Sequence, residues 1–128
     1  MVRPLAVDII IMKGNGFVAI KRKFPPFLDK YALPGGFVED NETVEEAAVR
    51  EAAEETNLNI KILRLIGVYS DPGRDPRGGV VSVCFIAGGK GELKAGDDAK
   101  EAVVIDCMEI PEMAFDHGKM LADAGYIL

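Results

Sequence analysis

The chain has 128 residues, 48% hydrophobic and 28% charged, with a formal net charge of −6; that length supports one domain, residues 1–128, with a real core. The acidic balance argues against a non-specific nucleic-acid binder, and the apolar run at residues 5–12 is too short to span a membrane and contains Asp8. Cys84 and Cys107 lack metal-type spacing, so two free thiols in a reducing compartment, and hence a cytoplasmic protein, are expected.

Residues 5–12 and 17–21 are apolar and β-branched, and Lys13-Gly14-Asn15-Gly16 between them is a hairpin signal. Residues 24–30 contain Pro25-Pro26 and read as loop. Leu33-Pro34-Gly35-Gly36 reads as a turn whose glycines permit close backbone approach, and a carbonyl there is a candidate oxygen ligand. A helix follows. Thr43 and Glu46 make a capping-box pattern, Asn41 is a rival N-cap, and Asn57 suits a left-handed C-cap. Val44, Ala47, Ala48, Glu51, Glu55 and Leu58 share one stripe, and Val49, Ala52 and Ala53 form a second small-residue face. The helix is expected to pack on both sides, with its acidic patch opening into a cleft; the alternative buries the second face alone and leaves the glutamates solvated. Arg50 is spaced to bridge Glu46 and Glu54.

Strands are expected at residues 58–69, bent around Arg64, at 80–87 and at 102–106. Gly88-Gly89-Lys90-Gly91 and residues 94–100 read as loops. Pro111 is placed to open a second helix over residues 112–124, weakened by Gly118.

Glu51, Glu54 and Glu55 lie at i, i+3 and i+4, so a helix sets them about 5–6 Å apart on one face. At an effective dielectric of about 20, each such pair repels by about 2–3 kcal/mol before solvent and salt screen it. A hard divalent cation, Mg2+ or Mn2+, turns that repulsion into a binding site; the competing reading is an ordinary solvated face. The stretch from Ser70 to Gly79 holds Asp71, Arg74 and Arg77 between stiffening prolines. Its arginines suit phosphates or a stacked base, against the reading of a rigid surface turn with Arg–Asp pairs.

Residues 36–58, GFVEDNETVEEAAVREAAEETNL, resemble the Nudix box, G-x5-E-x7-R-E-U-x-E-E-x-G-U, where U is bulky and apolar. Gly36, Glu42, Arg50, Glu51, Glu54, Glu55 and Leu58 fall on the pattern. Ala52 is small for the first U, and Asn57 replaces the last glycine, a position where asparagine tolerates positive φ. The resemblance implies an α/β fold, an α/β/α sandwich with a mixed β-sheet. It also implies metal-dependent hydrolysis of a nucleoside diphosphate linked to another moiety. Metal ligands would be Glu51, Glu54, Glu55 and the Gly36 carbonyl, with Arg50 orienting the glutamates and Glu42 supporting the loop. For the general base, family habit leaves a metal-helix glutamate or a loop acid open; Asp98 is the first choice beside Asp97 and Glu101. Arg22 resembles a substrate-contacting basic position. The loop SDPGRDPRG and the tail AFDHGKML resemble segments of the small ADP-ribose pyrophosphatases, which implies ADP-ribose as the nucleotide substrate, cleaved to AMP and ribose 5-phosphate, with Asp71, Arg74 and Arg77 near it. A homodimer is consistent with that group. Two alternatives stand: a MutT-like (d)NTP pyrophosphohydrolase, and a non-catalytic module that senses ADP-ribose. His117, the only histidine, is read as a surface helix residue, with a catalytic or ligand role as the alternative, and Phe17, Phe37, Phe85 and Phe115 as core, one of them able to stack on adenine.

Overall fold

The apolar N-terminal run forms β1 (Leu5–Lys13), whose successive side chains point to opposite faces of the sheet. Eight further elements follow: β2 (Gly16–Arg22), β3 (Tyr31–Ala32), β4 (Gly35–Phe37), α1 (Val44–Thr56), β5 (Asn59–Tyr69), β6 (Val81–Lys90), β7 (Ala99–Asp106) and α2 (His117–Asp123). The structure is a computed structural model and describes residues 2–96 and 99–128. Val7, Ile9 and Ile11 pack with Ala47, Ala48 and Ala52 of α1. Ile10, one residue out of phase, packs with Met120 and Leu121 of α2. The sheet is thus covered by a helix on each face, the expected sandwich.

The sheet is mixed. β1 runs parallel to β6 over eight residue pairs, Leu5↔Val81 to Met12↔Gly88, and the other pairings are antiparallel. β1 and β2 pair only beside their turn, at Met12↔Phe17 and Lys13↔Gly16. β2 then departs to pair with β7 and β3, while β4 takes the vacated edge of β1 at Ala6, Val7 and Asp8. A cleft lies at this fork, lined by Ala6, Val7 and Asp8 of β1 and by Gly35 and Gly36 of β4.

Strand β5 bends as its sequence suggests: the register with β6 shifts between Ile62 and Arg64 and again between Leu65 and Gly67. Three expectations need correction. Gly88 to Lys90 is strand, not loop; a Cβ on Gly89 would stand 2.8 Å from Ile11 Cγ2, so the glycine lets the core close against the strand. β7 begins at Ala99, earlier than expected, because β2 offers an open edge as far as Arg22. Helix α2 begins at His117 rather than near Glu112: Met113 bridges to Tyr31, the Ala114 amide donates to the Tyr31 carbonyl, and Phe115 takes φ 52°. That positive φ for a non-glycine residue is incompatible with a continuing helix.

Candidate active site

The local sequence specifies α1 at both ends. The Thr43 hydroxyl accepts from the Glu46 amide at 3.0 Å, and the Glu46 carboxylate accepts from the Thr43 amide at 2.9 Å. At the other end Asn57 adopts φ 64° and its amide closes on the Ala53 carbonyl. The last carbonyls of the helix are satisfied by the following loop: Lys94 donates to Thr56 and Gly96 to Glu55, both at 3.0 Å. Helix α1 buries Ala47, Ala48, Ala52 and Thr56, whereas Val49 and Ala53 face solvent, so it packs on one side only. Glu51 and Glu55 sit on the border of the packed face, half-buried and facing the cleft.

Arg50 organises the acidic residues. Its Nε and Nη2 grip the Glu42 carboxylate at 3.0 and 2.5 Å, Nη1 donates to Glu51 at 2.7 Å and Glu54 at 3.2 Å, and Nη2 also reaches the Phe37 carbonyl at 3.0 Å. The bond to Glu42 chiefly holds the guanidinium above its already high ordinary pKa. Glu42 also accepts from the Glu39 amide, fixing the loop ahead of the helix. The expected bridge from Arg50 to Glu46 is absent among the described residues, because the Glu46 carboxylate is committed to its cap. Burial pushes the Glu51 carboxyl above its ordinary value, with Arg50 opposing. Glu54 is 59% exposed and turns to Arg50 rather than into the cleft.

The cleft has a volume of about 310 Å³. Gly35 and Gly36 bring its backbone against the acidic helix: the Gly35 amide donates to Glu55 Oε2 at 3.3 Å, and a Cβ on Gly36 would stand 2.5 Å from the Glu51 carboxylate. Arg22 and Arg77 line the same space. Both guanidiniums lie over the Phe115 ring, at 4.9 and 5.5 Å from its centroid. Burial, then the neighbouring charge of Arg77, depress the basicity of Arg22. Phe37 and Phe115 are cleft walls rather than core; Arg77 also reaches over Phe37, 5.6 Å from its centroid.

The remaining candidates are placed differently. Arg74 borders the cleft, but its side chain is only 4% exposed and clasps Asp116 by two bonds of 2.8 and 2.7 Å. Asp71 faces a second hollow, on the β5–α2 side, and accepts from the Gly73 amide at 2.8 Å. Asp98 and Asp97 lie outside the described residues.

Two further residues line the cleft, one passed over in the sequence and one read as a surface residue. Asp8, 8% exposed, projects from β1 and accepts from the Ser82 hydroxyl at 2.5 Å. His117 is not a surface residue: it is 3% exposed, its Nδ1 accepts from the Leu33 amide at 2.9 Å, and its Nε2 stands 3.3 Å from Asp8 Oδ1. The available signal was Asp8 itself, a carboxylate inside an apolar strand.

The NUDIX domain model matches residues 2–124. The chain belongs to the NUDIX family. It is 58% identical over 120 residues to an ADP-ribose pyrophosphatase of Methanocaldococcus jannaschii, covering 93% of this chain and 71% of that protein. Among solved structures it resembles a MutT/nudix family protein of Enterococcus faecalis, with TM-score 0.87, 32% identity, and coverage of 97% of this chain and 61% of that one. It also resembles a bifunctional NMN adenylyltransferase/ADP ribose pyrophosphatase of Francisella tularensis complexed with AMP and a manganese ion, with TM-score 0.81, 29% identity, and coverage of 94% of this chain and 40% of that one. The chain thus spans less than two thirds of either solved chain.

Nudix hydrolases use divalent metal ions. The residues present fit such an ion in donor chemistry: all are oxygen donors, and Glu51 is a partly buried carboxylate whose charge a cation would stabilise. Gly36, lacking a Cβ, lets the Glu51 carboxylate lie directly against the turn backbone. Among the described residues no three His, Cys, Asp or Glu side chains already converge as a complete ligand set; Glu51 and Glu55 face the cleft, and Glu54 does not.

Proposed function

We propose that this NUDIX protein hydrolyses the pyrophosphate of ADP-ribose to AMP and ribose 5-phosphate. The observation that carries the reading is one cleft lined both by the box carboxylates Glu51 and Glu55 and by the crowded guanidiniums of Arg22 and Arg77. Two like charges held near one aromatic ring gain from an anion between them, and a pyrophosphate supplies it. The name of the Methanocaldococcus relative favours ADP-ribose over other diphosphates.

Glu51 and Glu55, with the Gly36 carbonyl and Glu54 as further donors, would hold Mg2+ or Mn2+. When bound, that ion supplies charge neutralisation at the phosphate oxygens and a water of lowered pKa. Arg50 keeps the glutamates oriented and Arg22 and Arg77 bind the phosphates. Phe37 and Phe115 offer aromatic surface to the base. Asp98, outside the described residues, remains the proposed general base. The two free thiols, Cys84 and Cys107, accord with a cytoplasmic location.

Product-resolved hydrolysis with Mg2+ tests the proposal, using ADP-ribose, NADH, diadenosine polyphosphates and the (d)NTPs, with Glu55→Gln as control. AMP released from ADP-ribose well above the rest, and lost in the control, is the expected result. Preferential release of pyrophosphate from a triphosphate would overturn the substrate, and tight ADP-ribose binding without turnover would indicate a sensor.

A further inference from the structure

The Leu33 amide lies buried at the back of the cleft, where water cannot serve as its acceptor. Its partner is His117 Nδ1 at 2.9 Å. A ring nitrogen that accepts carries no hydrogen, so the neutral imidazole keeps its proton on Nε2, and that nitrogen faces Asp8 Oδ1 at 3.3 Å. Asp8 is held in turn by Ser82, and Arg74 stands 3.9 Å from its second oxygen.

Downstream of Leu33 the chain has no slack. The Pro34 carbonyl accepts from Ile9 at 2.9 Å, Gly35 and Gly36 pair with Asp8 and Val7, and the Gly35 amide reaches Glu55. A Cβ on Gly35 would meet the Val7 carbonyl oxygen at 2.1 Å and Asp8 Oδ1 at 2.6 Å, and one on Gly36 would meet the Glu51 carboxylate at 2.5 Å. Both glycines are therefore packed against the groups that orient or form the acidic site.

We propose that His117 is a positioning residue: in its Nε2-protonated tautomer, held between Asp8 and the Leu33 amide, it sets the place of the Leu33–Gly36 turn and through it the geometry of Glu51 and Glu55. The proposal rests on the reading of those two glutamates as metal ligands, and does not depend on ADP-ribose being the substrate. It gives a role to a histidine that lies far along the chain from both glutamates.

The two hydrogen bonds are separable by side-chain shape. Asparagine places an oxygen near the Nδ1 position and still accepts from Leu33, but does not reach Asp8. Glutamine reaches the Nε2 position and leaves Leu33 without its acceptor. Wild type, His117→Asn and His117→Gln are compared by Mn2+ affinity of the substrate-free protein, by kcat and KM at saturating Mg2+, and by melting temperature; the wild-type tautomer is read from imidazole nitrogen shifts. Expected are an Nε2-protonated wild-type ring and, in His117→Gln, Mn2+ affinity weakened by about tenfold with kcat lowered and KM little changed, in line with other residues that support metal ligands. His117→Asn should retain Mn2+ affinity within about threefold. An Nδ1-protonated wild-type ring overturns the proposal even should a variant fail to fold. So does equal Mn2+ affinity in the two variants, or a loss that follows melting temperature alone. If the Mn2+ pattern holds while wild type does not cleave ADP-ribose, the substrate reading fails and the positioning role stands.

Discussion

Arg50 holds both oxygens of Glu42, through Nε at 3.0 Å and Nη2 at 2.5 Å, while Nη1 holds Glu51 at 2.7 Å. A lysine carries the same charge but a single donor centre, so it cannot hold the loop carboxylate and the cleft carboxylate together. Arg50→Lys is expected to lower activity or apparent metal affinity by about 10–100-fold. Steady-state rates across a Mg2+ titration measure this, and a change below threefold would contradict the role.

Gly36 admits no side chain, because the Glu51 carboxylate occupies the space a Cβ would take, 2.5 Å away. Gly36→Ala should displace Glu51, and an ångström-scale misplacement at a reacting centre costs on the order of 100-fold in rate. The measurement is kcat alongside the melting temperature. A fully active variant would show that Glu51 moves freely.

The Arg74–Asp116 pair joins the loop after β5 to the start of α2, with the Arg74 side chain 4% exposed. Burial opposes the charge on Arg74, and the two bonds it donates to Asp116, with the neighbouring carboxylate charge, outweigh it, leaving its pKa raised. Asp116→Ala removes both short bonds of this buried cation and leaves it Asp8 at 3.9 Å and the Val80 carbonyl at 3.4 Å, so it should cost about 1–3 kcal/mol of stability. Urea unfolding at neutral pH would show it; a loss below about 1 kcal/mol would mean that solvent reaches Arg74 instead.

Asp75 yields a pH prediction. Burial opposes its ionisation, but bonds from the Arg77 side chain and amide prevail and hold its pKa below the ordinary carboxylate value. A carboxylate depressed in the fold stabilises at pH above its unfolded value of about 4, and the contribution disappears as pH falls through the folded value. Asp75→Asn should therefore lower the melting temperature at pH 7 and converge on wild type in strong acid. A constant difference across that range would refute the assignment.

The acidic helix was legible because its signals are local. Thr43, Glu46 and Asn57 determine its ends within a few residues, and each behaves as its type suggests. The fork at β1 was not legible, since the partners of Ala6 to Asp8 lie about thirty residues away on one edge and over seventy on the other. His117 was misread for a related reason. Burial there is decided by Leu33 and Asp8, and Phe115 breaks the helical period just ahead of it. Arg74 and Arg77 differ though they share a loop: Asp116, from the far end of the chain, claims one of them.

The alternation along β1 ties folding accuracy to chemistry. Asp8 and Ile10 face α2, while Val7, Ile9 and Ile11 face α1. A slip of one residue against β6 would carry Asp8 into the apolar layer and put Ile9 in its place, since every side chain changes face together. A misregistered chain would thus lose its core as well as its cleft, so a stable protein with a scrambled site is not an available product of this sequence. Proofreading of the active centre is performed by the hydrophobic core.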